Sequence, residues 1–181
     1  MIESKLQKSV ETFFETLELS AERTGVKKDY LAEAIYAFLR DGSKDAAFQV
    51  YDIFFGTYRI TLKGAKNPFI DLLDTLRSYE ERAATLIEKQ RDHFVHSVNV
   101  FILGLAIYAS NTPYRSAFSA AVMDEARYPE NFPTAREEFL FRWGLASLFH
   151  DVGYPVEIIS KQIGKFLQFA TDADHNQALG T

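Results

Sequence analysis

Several residue types and motifs that mark common protein classes are missing from this sequence. Its 181 residues include no cysteine, so disulfide bonds and thiolate metal ligands are both excluded, and a reducing, cytoplasmic location is expected. The glycine patterns of phosphate-binding loops and dinucleotide-binding folds are absent, and no region is rich in strand-forming residues. Histidine is scarce, with four copies. The lack of strand-rich regions favours an all-α fold, and the other absences leave the histidines as the residues to examine for chemistry.

The net charge of the chain and the length of its apolar runs bear on whether it binds nucleic acid or a membrane. A formal net charge of −5 and a pI of about 5.4 argue against a protein held to nucleic acid mainly by its overall charge. A local site for a nucleotide is still compatible with an acidic protein. The N-terminus lacks the apolar segment of a signal peptide. The most apolar run, residues 98–109, is shorter than the ~20 residues that span a bilayer, so we expect a buried core helix and no membrane partner.

The composition can supply a substantial core. Hydrophobic residues make up 47% of the chain and aromatic residues 14%, with 16 phenylalanines. The length suits one domain, or one domain with a helical extension. We predict an N-terminal helical extension over residues 1–64 and a helical domain over residues 65–181, with a linker at residues 63–68.

Apolar residues recur at three- and four-residue steps through the first third of the chain. This period predicts helices over residues 3–24, 28–39 and 44–61. Ser43 is expected to cap the third helix. The aromatic and β-branched run at residues 54–62 is also compatible with a strand, but its continuity with the helical pattern favours a helix.

The same period continues through the rest of the chain. Residues 69–109 predict either one long helix or two helices separated within the charged segment 80–92. Thr134 followed by Glu137 has the pattern of a capping box. The remaining helices are expected over residues 114–124, 134–149 and 155–170, with a proline-containing loop at 128–133 and a polar tail after 170.

Three of the four histidines fall in two short segments, at residues 93–97 and 149–155. The adjacent His150 and Asp151 offer an imidazole nitrogen and a carboxylate oxygen from one turn of backbone. Together with an imidazole from another helix, they form part of a site for a divalent metal ion. Such an ion lowers the pKa of a bound water and so supplies a nucleophile for phosphate esters.

A structural interpretation of the same residues is also open. A His-Asp pair occurs by chance, and a histidine in an apolar helix is usually a hydrogen-bonded core residue. The upstream His-x-x-His-Ser pattern and the Gly-Tyr-Pro that follows Val152 favour the metal site. Because residues three apart share one face of a helix, either His93 or His96 could be the first ligand.

Arg91, the pair His96 and Ser97, and the segment 148–155 together resemble the HD superfamily of metal-dependent phosphohydrolases. The resemblance covers residues 85–170 and implies an all-helical HD-like bundle. It also implies that His96, His150 and Asp151 hold a divalent ion (Mn, Fe, Co, Mg, Ni or Zn), with Asp151 orienting the attacking water. A nucleotide or another phosphorylated small molecule would be the substrate, and a homodimer is compatible with this interpretation. The candidates for contacting the substrate are Arg91, His93, Arg142 and Lys161.

The chain departs from the family pattern in three places. The separation of His96 and His150 is longer than in compact members, which indicates an insertion near residues 128–133. The distant final aspartate of the family has no clear counterpart, since Asp172 follows the His-Asp pair closely. Tyr154 stands where many relatives carry lysine. We therefore expect either a member whose C-terminal part is missing or, as an alternative function, a catalytically incomplete HD-type binding or signalling module.

Overall fold

The computed structural model describes residues 2–19, 27–60, 92–122 and 134–151, together with six isolated residues at positions 75, 78, 160, 163, 164 and 168. These residues form helices and no strands, so the predicted all-α class is confirmed. The helices are α1 (Ile2–Glu15), α2 (Lys27–Asp41), α3 (Lys44–Tyr58), α4 (His93–Ser110), α5 (Thr112–Val122) and α6 (Ala135–Phe149).

The first helix is shorter than its apolar pattern predicts. α1 ends at Glu15, and Leu17 lies beyond it although its side chain is buried. The hydroxyls of Thr12 and Thr16 each donate to the carbonyl four residues earlier, a local bond that weakens helix propagation. The Leu17 carbonyl then accepts a hydrogen bond from Lys28 Nζ, at 2.7 Å, rather than from a later turn of helix.

The third helix follows its predicted start and settles the choice between helix and strand. The Ser43 hydroxyl accepts from the Ala46 N–H at 3.2 Å, which confirms the predicted N-cap. The strand alternative is wrong up to Tyr58, because these residues are helical. Arg59 ends the helix in a left-handed conformation (φ 50°), where its N–H and that of Ile60 both donate to the Phe55 carbonyl. These bonds satisfy a carbonyl oxygen at the end of the helix, which is Tyr58, three residues before the predicted boundary.

The helix α4 occupies the centre of the described bundle. It begins at His93, directly after the charged segment 80–92 in which the sequence allows a break. Asp92 caps it, with its carboxylate accepting from the Val95 N–H at 3.0 Å. α4 packs against α1, α3, α5 and α6. By length and composition α4 could cross a membrane, yet 56% of it is buried inside the protein. Its apolar character is therefore that of a core helix.

The turn from α4 into α5 is held by polar bonds at both helix ends. The Oδ1 atom of Asn111 accepts a hydrogen bond from the Tyr114 N–H, in the first turn of α5. The Arg115 guanidinium donates to the carbonyls of Tyr108 and Ala109 at 3.1 and 2.8 Å, in the last turn of α4. A cation at this position satisfies carbonyls that the helix itself leaves without donors.

The helix α6 begins at the predicted cap and crosses its neighbours at two glycines. Thr134 Oγ1 accepts from the Glu137 N–H at 3.2 Å. A methyl group at Gly144 would overlap the Phe54 ring, and one at Gly104 of α4 would overlap the indole of Trp143. The two glycines therefore allow α6 to lie close to α3 and to α4.

One hydrophobic core joins helices from both sides of the predicted domain boundary. Its buried side chains come from α1, α2 and α3 and also from α4 and α6. Tyr108 stacks on Phe139 with ring centroids 4.1 Å apart, and Phe13 of α1 packs edge-on against Tyr108. The boundary itself, between residues 64 and 65, lies outside the described residues. So do the predicted linker, the loop at 128–133, the tail after 170 and nearly all of the helix predicted at 155–170.

A cation is also built into this aromatic core. The guanidinium of Arg136 lies over the rings of Phe13 and Tyr108, 5.2 and 5.5 Å from their centroids. Burial lowers the pKa of Arg136, and the neighbouring Tyr108 partly offsets that effect. Burial likewise raises the pKa of Tyr108, against an opposing influence from Arg136 and Arg115.

Candidate metal centre

The two predicted histidine segments meet at one end of the bundle. His93 is the first residue of α4, and His96 lies one turn further along. His150 and Asp151 directly follow the last residue of α6, and His150 keeps helical backbone angles (φ −59°, ψ −30°). The start of α4 and the end of α6 are therefore side by side, which brings these four side chains together.

All three imidazoles approach the same carboxylate oxygen. The Oδ2 atom of Asp151 lies 3.2 Å from His93 Nδ1, 3.4 Å from His150 Nε2 and 4.0 Å from His96 Nε2. The rings of His96 and His150 face each other edge-on, with centroids 5.5 Å apart. Asp151 is thus the carboxylate around which the histidines are arranged, and His93 is the one hydrogen-bonded to it.

The spacing of three of these residues fits a shared ion. His96, His150 and Asp151 each offer a ligand atom, and these atoms all lie within 4.8 Å of one another. Two ligand atoms bound to one ion at about 2.1 Å each are about 3 Å apart in cis positions and about 4.2 Å apart in trans positions. The 3.4 and 4.0 Å separations from Asp151 Oδ2 fall within that range. The carboxylate of Asp151 can therefore share a divalent ion with either imidazole.

The protonation of His150 suits it to be a ligand. Its Nδ1 lies 2.7 Å from the carbonyl oxygen of Ser147 in the last turn of α6. A carbonyl can only accept, so Nδ1 carries the proton and donates it. In the neutral ring this leaves the lone pair on Nε2, the nitrogen that lies 3.4 Å from Asp151 Oδ2. Metal-binding histidines are commonly oriented in this way by a backbone carbonyl.

The cluster is open to solvent on one side. The side chains of His96 and His150 are 39% and 36% exposed, and that of Asp151 is 26% exposed, whereas that of His93 is only 11% exposed. Water or a substrate can therefore reach the three residues of the ligand group. His93 instead lies beneath them, towards the core.

Two contacts from α3 support the cluster, and the sequence patterns did not indicate either of them. The Tyr51 hydroxyl donates to the Leu148 carbonyl at 2.8 Å, in the last turn before His150. Lys44 Nζ lies 3.1 Å from Asp92 Oδ2, at the cap of α4. One contact holds the end of α6 and the other holds the start of α4. Both bridge long sequence separations, which periodicity cannot detect.

Of the four residues predicted to contact the substrate, His93 is the one that the described part of the chain places at the cluster. Arg91 and Lys161 lie outside that part of the chain, as do Tyr154 and Asp172. Arg142 is described, and it pairs with Glu138 one turn earlier on α6. It stands eight positions before His150, which along a helix is about 12 Å. The structure therefore brings His93, His96, His150 and Asp151 together but leaves Arg142 apart from them.

No family model, curated protein or solved structure matches this chain.

Proposed function

We propose that this chain is a divalent-metal-dependent phosphohydrolase of the HD type, acting on a nucleotide or another small phosphoester in the cytoplasm. The observation that carries the proposal is the convergence of His96, His150 and Asp151, whose ligand atoms all lie within 4.8 Å of one another. The resemblance of the two histidine segments to the HD pattern supplies the reaction class.

The donor set limits the ion that would be bound. Two imidazole nitrogens and one carboxylate oxygen suit Mn, Fe, Co, Ni or Zn, and they suit Mg less well, because Mg prefers oxygen ligands. There is no thiolate in the chain to favour a softer ion. Three protein ligands on an exposed face leave coordination positions for water and for a substrate oxygen, as is usual in catalytic sites.

The chain's own residues have separate roles in this proposal. A divalent ion in such a site supplies a nucleophilic water at neutral pH and polarises a phosphoryl oxygen. His96 and His150 hold their Nε2 atoms 4.0 and 3.4 Å from Asp151 Oδ2, and His150 donates its Nδ1 proton to the Ser147 carbonyl. The carboxylate of Asp151 can orient a water through its oxygens and accept its proton, as a general base does.

The direct experiment measures metal content and turnover together. Protein purified without chelator is analysed for bound metal and assayed on a panel of phosphomonoesters, phosphodiesters and nucleotides with each candidate ion. We expect close to one equivalent of a divalent metal per chain and turnover of at least one panel member. His150→Ala and Asp151→Ala should lose the metal and reduce turnover by at least about 100-fold.

Asp52→Ala is the matched control, because Asp52 is an exposed carboxylate on α3 and its loss should change neither metal content nor turnover. If the wild-type chain binds no divalent metal under any condition, or if His150→Ala leaves both measurements unchanged, the proposal is wrong.

A second candidate function is a metal-binding or ligand-binding module without turnover. It is favoured by the count of ligands, since within the described residues no further carboxylate joins His96, His150 and Asp151. This candidate predicts metal bound in the wild type, lost in Asp151→Ala, and no turnover of any panel member. Stabilisation by a nucleotide, measured as a rise in melting temperature, would then identify its ligand class.

A further inference from the structure

The role of His93 differs from that of the other two histidines in the cluster. It is the most buried of the three, and its Nδ1 makes the shortest approach to Asp151, at 3.2 Å from Oδ2. His93 is also the first residue of α4, directly after the Asp92 cap. Its backbone is therefore held in place by the capping bond, and its ring is held within the protein rather than on the open face.

Geometry separates His93 from the ligand group. The set of atoms that all lie within 4.8 Å of one another contains His96, His150 and Asp151, and His93 is not a member. A ligand must come within coordination distance of an ion shared with every other ligand. His93 Nδ1 lies 3.2 Å from Asp151 Oδ2, but His93 does not belong to the set of mutually close ligand atoms. Its ring therefore contacts the carboxylate and does not face the position that the ion would take.

We propose that His93 is a positioning residue, which holds the Asp151 carboxylate in the orientation that faces His96 and His150. This inference rests on the proposed metal centre. An ionised carboxylate only accepts hydrogen bonds, so His93 donates its Nδ1 proton to Oδ2. A hydrogen bond to a metal-binding carboxylate restricts its rotation and is typically worth 10–100-fold in metal affinity. The assignment excludes the two roles that the sequence left open for His93, those of first metal ligand and substrate contact.

Nitrogen-15 NMR of the imidazole rings tests this role directly, because each ring nitrogen reports whether it carries a proton, a lone pair or a metal. In the metal-free wild type we expect His93 to be protonated at Nδ1. Addition of one equivalent of Zn²⁺ should move the Nε2 resonances of His96 and His150 to the metal-bound range and leave both His93 nitrogens outside it. A metal-bound shift at either nitrogen of His93 would overturn the proposal.

The same spectra separate failure of this inference from failure of the proposed function. If no imidazole responds to Zn²⁺, the metal centre is absent, and the positioning role is then judged on the metal-free protein. There Asp151→Ala should release the His93 ring and shift its Nδ1 resonance. An unchanged His93 spectrum in Asp151→Ala would show that the two side chains do not interact, whatever the metal does.

Two substitutions at residue 93 give an independent measurement. His93→Asn places an amide N–H near the position of Nδ1, whereas His93→Ala removes the donor. We expect the Zn²⁺ dissociation constant to rise by at most about threefold in His93→Asn and by about 10–100-fold in His93→Ala. Both variants should keep two metal-bound imidazoles, as measured by X-ray absorption of the Zn²⁺ form. Loss of one imidazole ligand in His93→Ala, or equal weakening by both variants, would contradict a positioning role.

Discussion

The hydroxyl of Tyr51 donates a hydrogen bond to the carbonyl of Leu148, 97 residues later in the chain, at 2.8 Å. Tyr51 lies on α3 and is 1% exposed, and Leu148 is in the last turn of α6. The bond satisfies one of the carbonyls that a helix end leaves without a donor. Because His150 and Asp151 directly follow that turn, Tyr51 of α3 fixes the position of two residues of the candidate metal centre.

Tyr51→Phe should destabilise the protein and weaken metal binding. The ring is kept, so packing against Phe94 and Phe55 is preserved, but a buried carbonyl loses its donor. We expect a loss of about 1–3 kcal/mol in the free energy of unfolding, measured by urea denaturation. Tyr30→Phe is the control, since Tyr30 is 51% exposed, and it should change stability by less than about 0.5 kcal/mol. Equal effects in the two variants would show that the Leu148 bond contributes nothing.

Gly104→Ala should disturb the crossing of α4 and α6. The added methyl group would overlap the Trp143 indole, whose Nε1 donates to the Phe101 carbonyl at 3.0 Å. Overpacking of this kind costs about 1–3 kcal/mol. Trp143 is the single tryptophan of the chain, so its fluorescence should change in the folded state as well as in the unfolding transition.

Gly164→Ala provides the control for that experiment. Nothing lies within 4 Å of the position that its methyl group would take, and alanine is favoured over glycine in a helix. We expect Gly164→Ala to leave stability unchanged or slightly raised. If Gly104→Ala were equally neutral, the close approach of the two helices would not be a constraint on the fold.

Divalent metal should stabilise the folded chain through His150. A ligand that binds only the folded state at 100 times its dissociation constant raises the free energy of unfolding by about 2.7 kcal/mol. A rise in melting temperature on adding Mn²⁺ or Zn²⁺, reversed by a chelator, is therefore expected for the wild type and for Asp52→Ala. It should be lost in His150→Ala. Stabilisation that persists in His150→Ala would place the metal elsewhere.

The buried Tyr108 and the half-buried Tyr36 predict a loss of stability in alkaline solution. Burial raises the pKa of Tyr108, and burial together with the carboxylates of Glu11 and Glu15 raises the pKa of Tyr36. Above the ordinary tyrosine pKa of about 10, the unfolded chain releases protons that the folded chain still binds. The free energy of unfolding must therefore fall as the pH rises through this range.

Tyr108→Phe tests the alkaline prediction at one residue. Phenylalanine keeps the stacking on Phe139 but cannot ionise, so the decline between about pH 9 and pH 11 should be shallower than in the wild type. The measurement is the urea midpoint at a series of pH values, with Tyr30→Phe as an exposed control. A slope in Tyr108→Phe as steep as that of the wild type would show that Tyr108 does not contribute.

Features that depend on a few neighbouring residues could be predicted from the sequence. The caps at Ser43 and Thr134 are bonds to an N–H three residues later, so the local pattern contains both partners. The sequence also predicts the end of α6 at the His-Asp pair, because Gly153 and Pro155 follow it closely. The end of α1 was missed because Leu17 continues the apolar period, although its carbonyl is satisfied by Lys28 rather than by a further turn.

Local sequence patterns predict most of the helices, the caps at Ser43 and Thr134 and the residue types available for a metal centre. Which of these residues meet follows from the tertiary structure. It joins His96 to His150 and Asp151, directs His93 to the carboxylate, leaves Arg142 with Glu138 and brings Tyr51 beneath the end of α6. The physical reason is that helix formation follows from bonds three or four residues apart, whereas the contacts of the centre depend on how whole helix faces pack, including the close approaches at Gly104 and Gly144.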